Sequence, residues 1–223
     1  MLRALFFKDS LLQARSAEFL VLYCGFSILG SVIVSFGVSQ LLFSVETLRR
    51  VAPTLVWLIF LFTATASVSK LQEQEEDLCG QQGLLLLGVS PVSMYLAKLL
   101  SAVVLLYLGH VLSWCIVGML LNLAMPAAWM TMMAVSFGVI VCYASMALLL
   151  MPMLHGSRSR QLLFPLILLP LLAPLFFCAI ELWSILLSYG AIDWEEPWLS
   201  LLFGMVVVYP VLGANMYQFV VRE

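Results

Sequence analysis

Long stretches without Asp, Glu, Lys or Arg alternate with short charged segments along the chain. A helix that crosses a membrane needs about 20 apolar residues, because the hydrocarbon core is about 30 Å thick. The stretch from Leu99 to Ser157 is too long for one span, and Asn122–Pro126 favours a chain reversal in its middle. The pattern therefore predicts six membrane-spanning helices, at about 19–43, 51–69, 99–121, 127–153, 161–181 and 198–221.

The apolar stretches do not show the alternation of a membrane β-barrel. Residues 162–177 read LLFPLILLPLLAPLFF, in which apolar residues follow one another without a period of two. The fold class is therefore predicted to be an all-α membrane protein, with residues 1–223 forming a single transmembrane domain.

Composition excludes most other classes of protein. Of the 223 residues, 64% are hydrophobic and 10% are charged, whereas soluble domains are about 45–50% apolar and about 25% charged. A soluble chain of this composition would expose large apolar patches. The formal net charge of −2 provides no basic surface for nucleic acid, so no nucleic-acid partner is expected.

The Lys and Arg residues predict the orientation in the membrane, because positive charges are retained in cytoplasmic loops. With six spans, one side of the membrane carries only Arg49 and Arg50. The other side carries the termini and the remaining cations, namely Arg3, Lys8, Arg15, Lys70, Lys98, Arg158, Arg160 and Arg222. We therefore expect both termini to be cytoplasmic.

The segment before the first span has an amphipathic pattern. Drawn as a helix, residues 1–15 place Lys8 and Arg15 on one face and several Leu and Phe side chains on another, interrupted by Asp9. This pattern favours an interfacial helix on the inner leaflet. The alternative is a tail that only orients the first span.

An acidic stretch follows the second span. Residues 70–83 read KLQEQEEDLCGQQG and carry four carboxylates, those of Glu73, Glu75, Glu76 and Asp77. On a helix, positions 73 and 77 lie one turn apart and repel each other, a cost that a basic partner would offset. Residues 70–98 are accordingly predicted to be a cytoplasmic coupling segment that re-enters the membrane at Lys98. A solvated loop without a partner is the alternative.

Three other features of the spans suggest function. Pro165, Pro170 and Pro174 predict a kinked or broken fifth span, although membrane helices also tolerate proline. His110 lies within the third span, where an ionisable side chain serves either as a ligand or as hydrogen-bonding glue between helices. Most of the six Trp residues are expected in aromatic belts near the membrane interfaces.

Several motifs are absent from the sequence. It contains no G-x-x-x-x-G-K-[ST], no H-E-x-x-H and no C-x-x-C, so we expect no nucleotide site, no metal site and no enzymatic activity in this chain. The predicted spans also hold almost no Asp, Glu or Lys, which disfavours an ion-coupled carrier. A transporter of this kind would take its energy from an ATPase on a separate chain.

The sequence resembles the CcmB family, the permease subunits of the haem exporter in cytochrome c maturation. The similarity rests on the R-x-A-P-x-x-x-W entry into the second span, with Arg50, Pro53 and Trp57, and on L-A-K ending at Lys98. It also rests on the Pro-rich fifth span with its P-x-x-x-P, at Pro170 and Pro174. The family's L-E after the acidic segment is replaced here by GQQG at 80–83.

The resemblance implies an ABC-2-type permease in a bacterial or organellar inner membrane. It implies a homodimer that recruits a P-loop ATPase, so that ATP is bound by the partner, with residues 73–77 as the coupling element. Further implied partners are a haem-handling membrane protein, a small accessory subunit and a periplasmic haem chaperone. Haem would be the transported or handled species, not a resident cofactor. Two alternatives stay open: an ABC-2 permease for a lipid, polysaccharide or drug, and a non-transport scaffold of the maturation complex.

Overall fold

Helices make up nearly all of the structure, a computed structural model that describes residues 5–7, 17–41, 44–77, 88–123, 127–154 and 159–220. No strand occurs among these residues, which confirms the all-α prediction. The long helices are α1 (Ala17–Ser39), α2 (Val45–Asp77), α3 (Pro91–Leu120), α4 (Trp129–Met153), α5 (Arg160–Tyr189) and α6 (Pro197–Val220).

Five of the described helices, α2 to α6, are long and apolar enough to cross a membrane. The first helix, α1, contributes a shorter apolar stretch from Tyr23 to Ser39 among the residues whose side chains are described. The chain is therefore a multi-pass membrane protein by length and composition. The count of six spans remains a prediction.

Both ends of the predicted coupling segment, residues 70–98, are helical in the structure. Helix α2 continues without a break to Asp77, and α3 already begins at Pro91. Ser90 caps α3, since its side chain accepts a hydrogen bond from the Ser93 backbone N–H at 3.3 Å, and proline suits the first helical position. Lys98 thus lies within α3, seven residues after its start, and is only 5% exposed, while the point of re-entry into the membrane remains a prediction.

Two other predictions concern the N-terminus and α5. In the N-terminal segment, residues 5–7 form a helical turn with Leu5 buried and Phe7 exposed, and the rest of residues 1–16 lie outside the described part. Helix α5 is not broken, because it continues through all three prolines to its left-handed cap at Gly190, φ 78°.

Neighbouring helices alternate in direction. Contacts of Tyr23 with Leu106 and of Ser27 with Ser113 show that α1 and α3 run in the same direction. We call the end where α1 joins α2, α3 joins α4 and α5 joins α6 the distal end of the bundle. Helix α4 lies at the centre of the bundle and α6 lies at its edge. Of the most apolar 18-residue stretch of each helix, 72% is buried in α4 and only 11% in α6.

Two glycines allow close contacts between helices. The ring of Tyr23 on α1 lies directly against Gly109 on α3, and the Tyr95 hydroxyl on α3 lies against Gly213 on α6. A side chain at either glycine would occupy the space of the tyrosine. These small residues therefore let neighbouring membrane helices approach closely.

Candidate functional site

Seven buried rings meet in the middle of the bundle and form what we call the aromatic hub. They come from four helices, and their ring centroids lie 4.4 to 6.4 Å apart in ten pairs. The hub consists of Trp57 and Phe60 on α2, His110 and Trp114 on α3, Tyr143 on α4, and Phe176 and Trp183 on α5.

Helical spacing explains why these rings converge. Trp57 and Phe60 are three residues apart, and His110 and Trp114 are four apart, so each pair lies on one face of its helix. The α2 and α3 faces that carry them turn toward α5 and away from lipid. The sequence therefore places the rings of each pair on one face of their helix, and helix packing brings the pairs together.

His110 lies at the centre of the hub. Its imidazole stacks on the indole of Trp57, with centroids 4.4 Å apart and an interplanar angle of 28°. Edge-to-face contacts with Trp183, at 5.3 Å, and with Phe60, at 5.4 Å, enclose it further. The residue is 1% exposed, so bulk solvent does not reach the ring in this conformation.

The polar atoms of three hub rings have no hydrogen-bond partner among the described residues. These atoms are Nδ1 and Nε2 of His110 and the indole Nε1 of Trp57 and of Trp183. Tyr143 differs, because its hydroxyl lies 3.1 Å from the Thr65 hydroxyl. Leaving a buried donor or acceptor unpaired costs about 1–3 kcal/mol.

The structure answers two sequence-based expectations about these rings. His110 does lie inside the α3 span, but it forms no interhelical hydrogen bond within the described part of the chain. That part also contains no group of three or more His, Cys, Asp or Glu residues that could hold a metal ion.

The prediction that most Trp residues lie in aromatic belts near the membrane interfaces is wrong for Trp57, Trp114 and Trp183, because all three are at most 5% exposed in the hub.

The motif residues that carried the family resemblance are not brought together in one site. Trp57 belongs to the hub, and Pro53 is buried one turn before it on α2. Arg50 lies near the start of α2 with an exposed ion pair to Glu46, at 3.1 Å. Lys98 is buried near the start of α3 and has a partner.

Pro170 and Pro174 lie on an exposed face of α5, outside the hub. The same face carries Phe177, 60% exposed, and Glu181, which is also exposed. The spacing of four, three and four residues aligns these positions along the helix. We call this surface the α5 face. The sequence alone does not show which of these positions face outward, so the surface is visible only in the structure.

The four acidic positions 73, 75, 76 and 77 lie on the last turns of α2, whose side chains are outside the described part of the chain. Their backbone is helical and continuous with the second span. Positions 73, 76 and 77 share one helix face, because they are separated by three and four residues.

An apolar cavity of about 340 Å³ lies at the distal end between α4 and α6. The cavity is bordered by Phe137 and Gly138 on α4, Leu202 and Val206 on α6, and Trp194 in the loop before α6. Trp194 is 84% exposed, and its neighbours Asp193 and Glu195 are exposed as well. The cavity is thus apolar, and the loop that carries Trp194 is acidic on either side of it in sequence.

Comparison with known proteins identifies the family. The model of the CcmB protein family matches residues 1–222, which is the whole chain apart from the last residue. No curated protein matches the sequence. The match spans α1 to α6 and therefore includes the hub, the α5 face and the acidic end of α2. The chain belongs to the CcmB family and is a multi-pass membrane protein of the Ccm haem-export complex.

Proposed function

We propose that the chain is the permease subunit of an ABC-2-type transporter that acts in c-type cytochrome biogenesis. It spans the inner membrane six times with both termini in the cytoplasm, and a separate P-loop ATPase supplies the energy. ATP hydrolysis on that partner drives haem export or release of the haem-loaded chaperone. The chain itself hydrolyses no nucleotide and holds haem only as a transported or handled species.

The observation that carries this proposal is the length of α2. Its apolar part, Val45–Val68, suffices to cross the membrane, yet the helix continues to Asp77. At 1.5 Å per residue, the remaining turns project about 13 Å beyond the apolar part. A rigid extension of a span transmits movement of a docked ATPase into the bundle more directly than a loose loop would.

The composition of the extension indicates its partner. Like charges three and four residues apart, as at positions 73, 76 and 77, are unfavourable on a helix. A basic surface of the ATPase would relieve that repulsion and would gain electrostatic complementarity. Residues 73–77 are therefore the proposed coupling element.

The α5 face supports the proposed homodimer. Glu181 lies two turns before the end of α5 at Tyr189, so its carboxylate is on an apolar helix surface about 12 Å from the helix end. Charge in contact with lipid at that depth is costly, and a protein partner would remove it from lipid. Pro170, Pro174 and Phe177 extend the same surface.

Partners on the opposite side of the membrane fit the distal end. The exposed carboxylates of Asp193 and Glu195 flank Trp194 beside the apolar cavity. This surface is the proposed contact for the haem-handling membrane protein with its small accessory subunit and for the periplasmic haem chaperone. The distal surface and the coupling element lie at opposite ends of the bundle.

The decisive experiment tests whether ATPase binding depends on the acidic residues at the end of α2 or on negative charge anywhere in the chain. Glu73, Glu75, Glu76 and Asp77 are changed together to Lys, and the matched control reverses Asp193, Glu195 and Glu196 at the distal end. We expect the first variant to lose co-purification of the ATPase, while the control retains it. Equal retention by both variants would refute the coupling element.

The haem assignment has its own readout. A strain without this gene is stained for covalent haem in c-type cytochromes, with and without the gene on a plasmid. We expect the stained bands to disappear and to return on complementation. Normal bands in the deletion strain would reject the haem role and leave a permease for another substrate. A role as a scaffold would instead be indicated if a catalytically dead ATPase left the bands unchanged.

The dimer is tested by disulfide cross-linking in a cysteine-free background. We expect Phe177→Cys on the α5 face to form an oxidised dimer on gels. Val207→Cys on α6, 65% exposed, is the control and should remain monomeric. Cross-linking of the control alone would place the dimer interface on α6.

A further inference from the structure

Buried hydroxyl groups in this bundle fall into two classes. Several of them bond to the carbonyl one turn earlier, as Thr63 does to Ile59 at 2.7 Å and Ser136 to Met132 at 2.8 Å. In contrast, the hydroxyls of Ser31 and Ser35 on α1, like that of Ser67 on α2, have no hydrogen-bond partner among the described residues. Both α1 side chains are at most 1% exposed.

These two serines continue a line of polar groups that starts in the hub. Ser113 lies three residues after His110 on α3, and its hydroxyl is 2.9 Å from that of Ser27 on α1. Ser27, Ser31 and Ser35 follow one another at intervals of four residues, or about 6 Å along the helix. The line thus runs from His110 toward the distal end, one turn before α1 ends at Ser39.

The unpaired ring atoms of the hub define what can bind at the inner end of this line. The indoles of Trp57 and Trp183 only donate hydrogen bonds, while neutral His110 donates one and accepts one. Three donors and one acceptor do not suit a metal cation. No Lys or Arg belongs to the hub, so an anion would lack a counter-charge. Water both donates and accepts, and it fits this set.

We propose that a chain of water molecules enters at the distal end of α1, follows Ser35, Ser31 and Ser27, and ends at His110 between Trp57 and Trp183. Buried water in proteins typically makes about three hydrogen bonds to groups that otherwise lack partners. The imidazole and the two indoles supply that number at the inner end. Serine hydroxyls spaced about 6 Å apart are within reach of a single bridging water. We call this feature the serine track.

The test uses the reactivity of cysteines. Only the thiolate reacts with a methanethiosulfonate reagent, and a thiol in dry, apolar surroundings does not ionise. Ser31→Cys is compared with Val117→Cys on α3. Ser31 and Val117 lie at the same depth, because each is four residues beyond the Ser27–Ser113 contact, and both are fully buried.

Both variants are made in the full-length chain in native membranes, after replacement of the natural cysteines Cys24, Cys79, Cys115, Cys142 and Cys178. We expect Ser31→Cys to react with 2-aminoethyl methanethiosulfonate about ten times faster than Val117→Cys, because one pKa unit already changes the thiolate fraction tenfold. Ser27→Cys should also react, more slowly. Equal rates for Ser31→Cys and Val117→Cys, whether both fast or both negligible, would overturn the serine track.

A second measurement covers the inner end and does not depend on cysteine. His110→Phe keeps a flat ring but removes both imidazole nitrogens. If the hub is dry, this change eliminates two unpaired polar atoms and raises the apparent Tm in detergent. If water is bound there, the change removes the imidazole nitrogen that accepts a hydrogen bond from the water, and it lowers the apparent Tm. A raised Tm would refute the water site at His110.

Discussion

Replacement of Gly109 by alanine tests the closest helix contact of the bundle. A Cβ at position 109 would fall inside the ring of Tyr23, so α1 and α3 cannot keep their spacing. The Tyr23 hydroxyl also donates a buried hydrogen bond of 2.6 Å to the Leu106 carbonyl. Displacement of the ring by the new methyl group would therefore break this bond as well.

The magnitude follows from these two losses. Overpacking a well-packed interior costs about 1–3 kcal/mol, and the lost hydrogen bond adds about 0.5–1.5 kcal/mol. Alanine gains about 1 kcal/mol over glycine in helix propensity, which offsets part of the cost. The net loss in unfolding free energy is therefore about 0.5–3.5 kcal/mol, equivalent to a fall in Tm of about 1–14 °C for a chain of this size.

The assay uses two fully buried thiols of the natural protein. Cys142 and Cys178 are 0% exposed, so a thiol-reactive fluorogenic dye reports their exposure when the detergent-solubilised protein unfolds. Gly118→Ala is the matched control on the same helix, because a Cβ there meets nothing within 4 Å. We expect the control to keep or raise the Tm. An unchanged Tm for Gly109→Ala would show that the α1–α3 spacing is not set by this contact.

The rationale for Tyr23 can be checked by a double-mutant cycle. Tyr23→Ala removes the ring that the new methyl group would strike. In that background, Gly109→Ala should cost less than it does in the natural chain, since residues in contact show non-additive effects. Additive losses would mean that the two residues do not interact.

Two further predictions use the same thermal assay. Gly213→Ala should lower the Tm by several degrees, because a methyl group there would strike the Tyr95 hydroxyl, whereas Gly204→Ala, with open space around it, should not. Arg50→Ala should change the unfolding free energy by at most about 1 kcal/mol, because its ion pair with Glu46 is exposed on both sides. A large loss for Arg50→Ala would point to a role in binding a partner.

The positions of the helices could be predicted from the sequence, but some of their ends could not. Charge-free stretches located α3 to α6, because an apolar segment in lipid must satisfy its backbone hydrogen bonds internally and therefore forms a helix. The end of α2 at Asp77 was missed, since polar residues 70–77 resemble a loop by composition. Only packing and partner binding decide whether such a segment continues a helix.

The candidate site could also be predicted only in part from the sequence. His110 could be recognised from the sequence as an ionisable residue within a span, and that placement is confirmed. Its neighbours could not, because Trp57 and Trp183 are far apart in the chain and depth in the membrane does not reveal which way a helix face turns. The tryptophans were therefore assigned to interfaces on depth alone, and three of them lie in the hub.

The sequence by itself determined the class of protein, the depth of each apolar segment and the family, because these depend on composition, length and local motifs. Only the tertiary structure decided which rings meet at His110, that Ser27 contacts Ser113, and that Pro170 and Glu181 share an outer face of α5. Those properties depend on the rotation of each helix about its axis, which is set by close packing at positions such as Gly109 and Gly213.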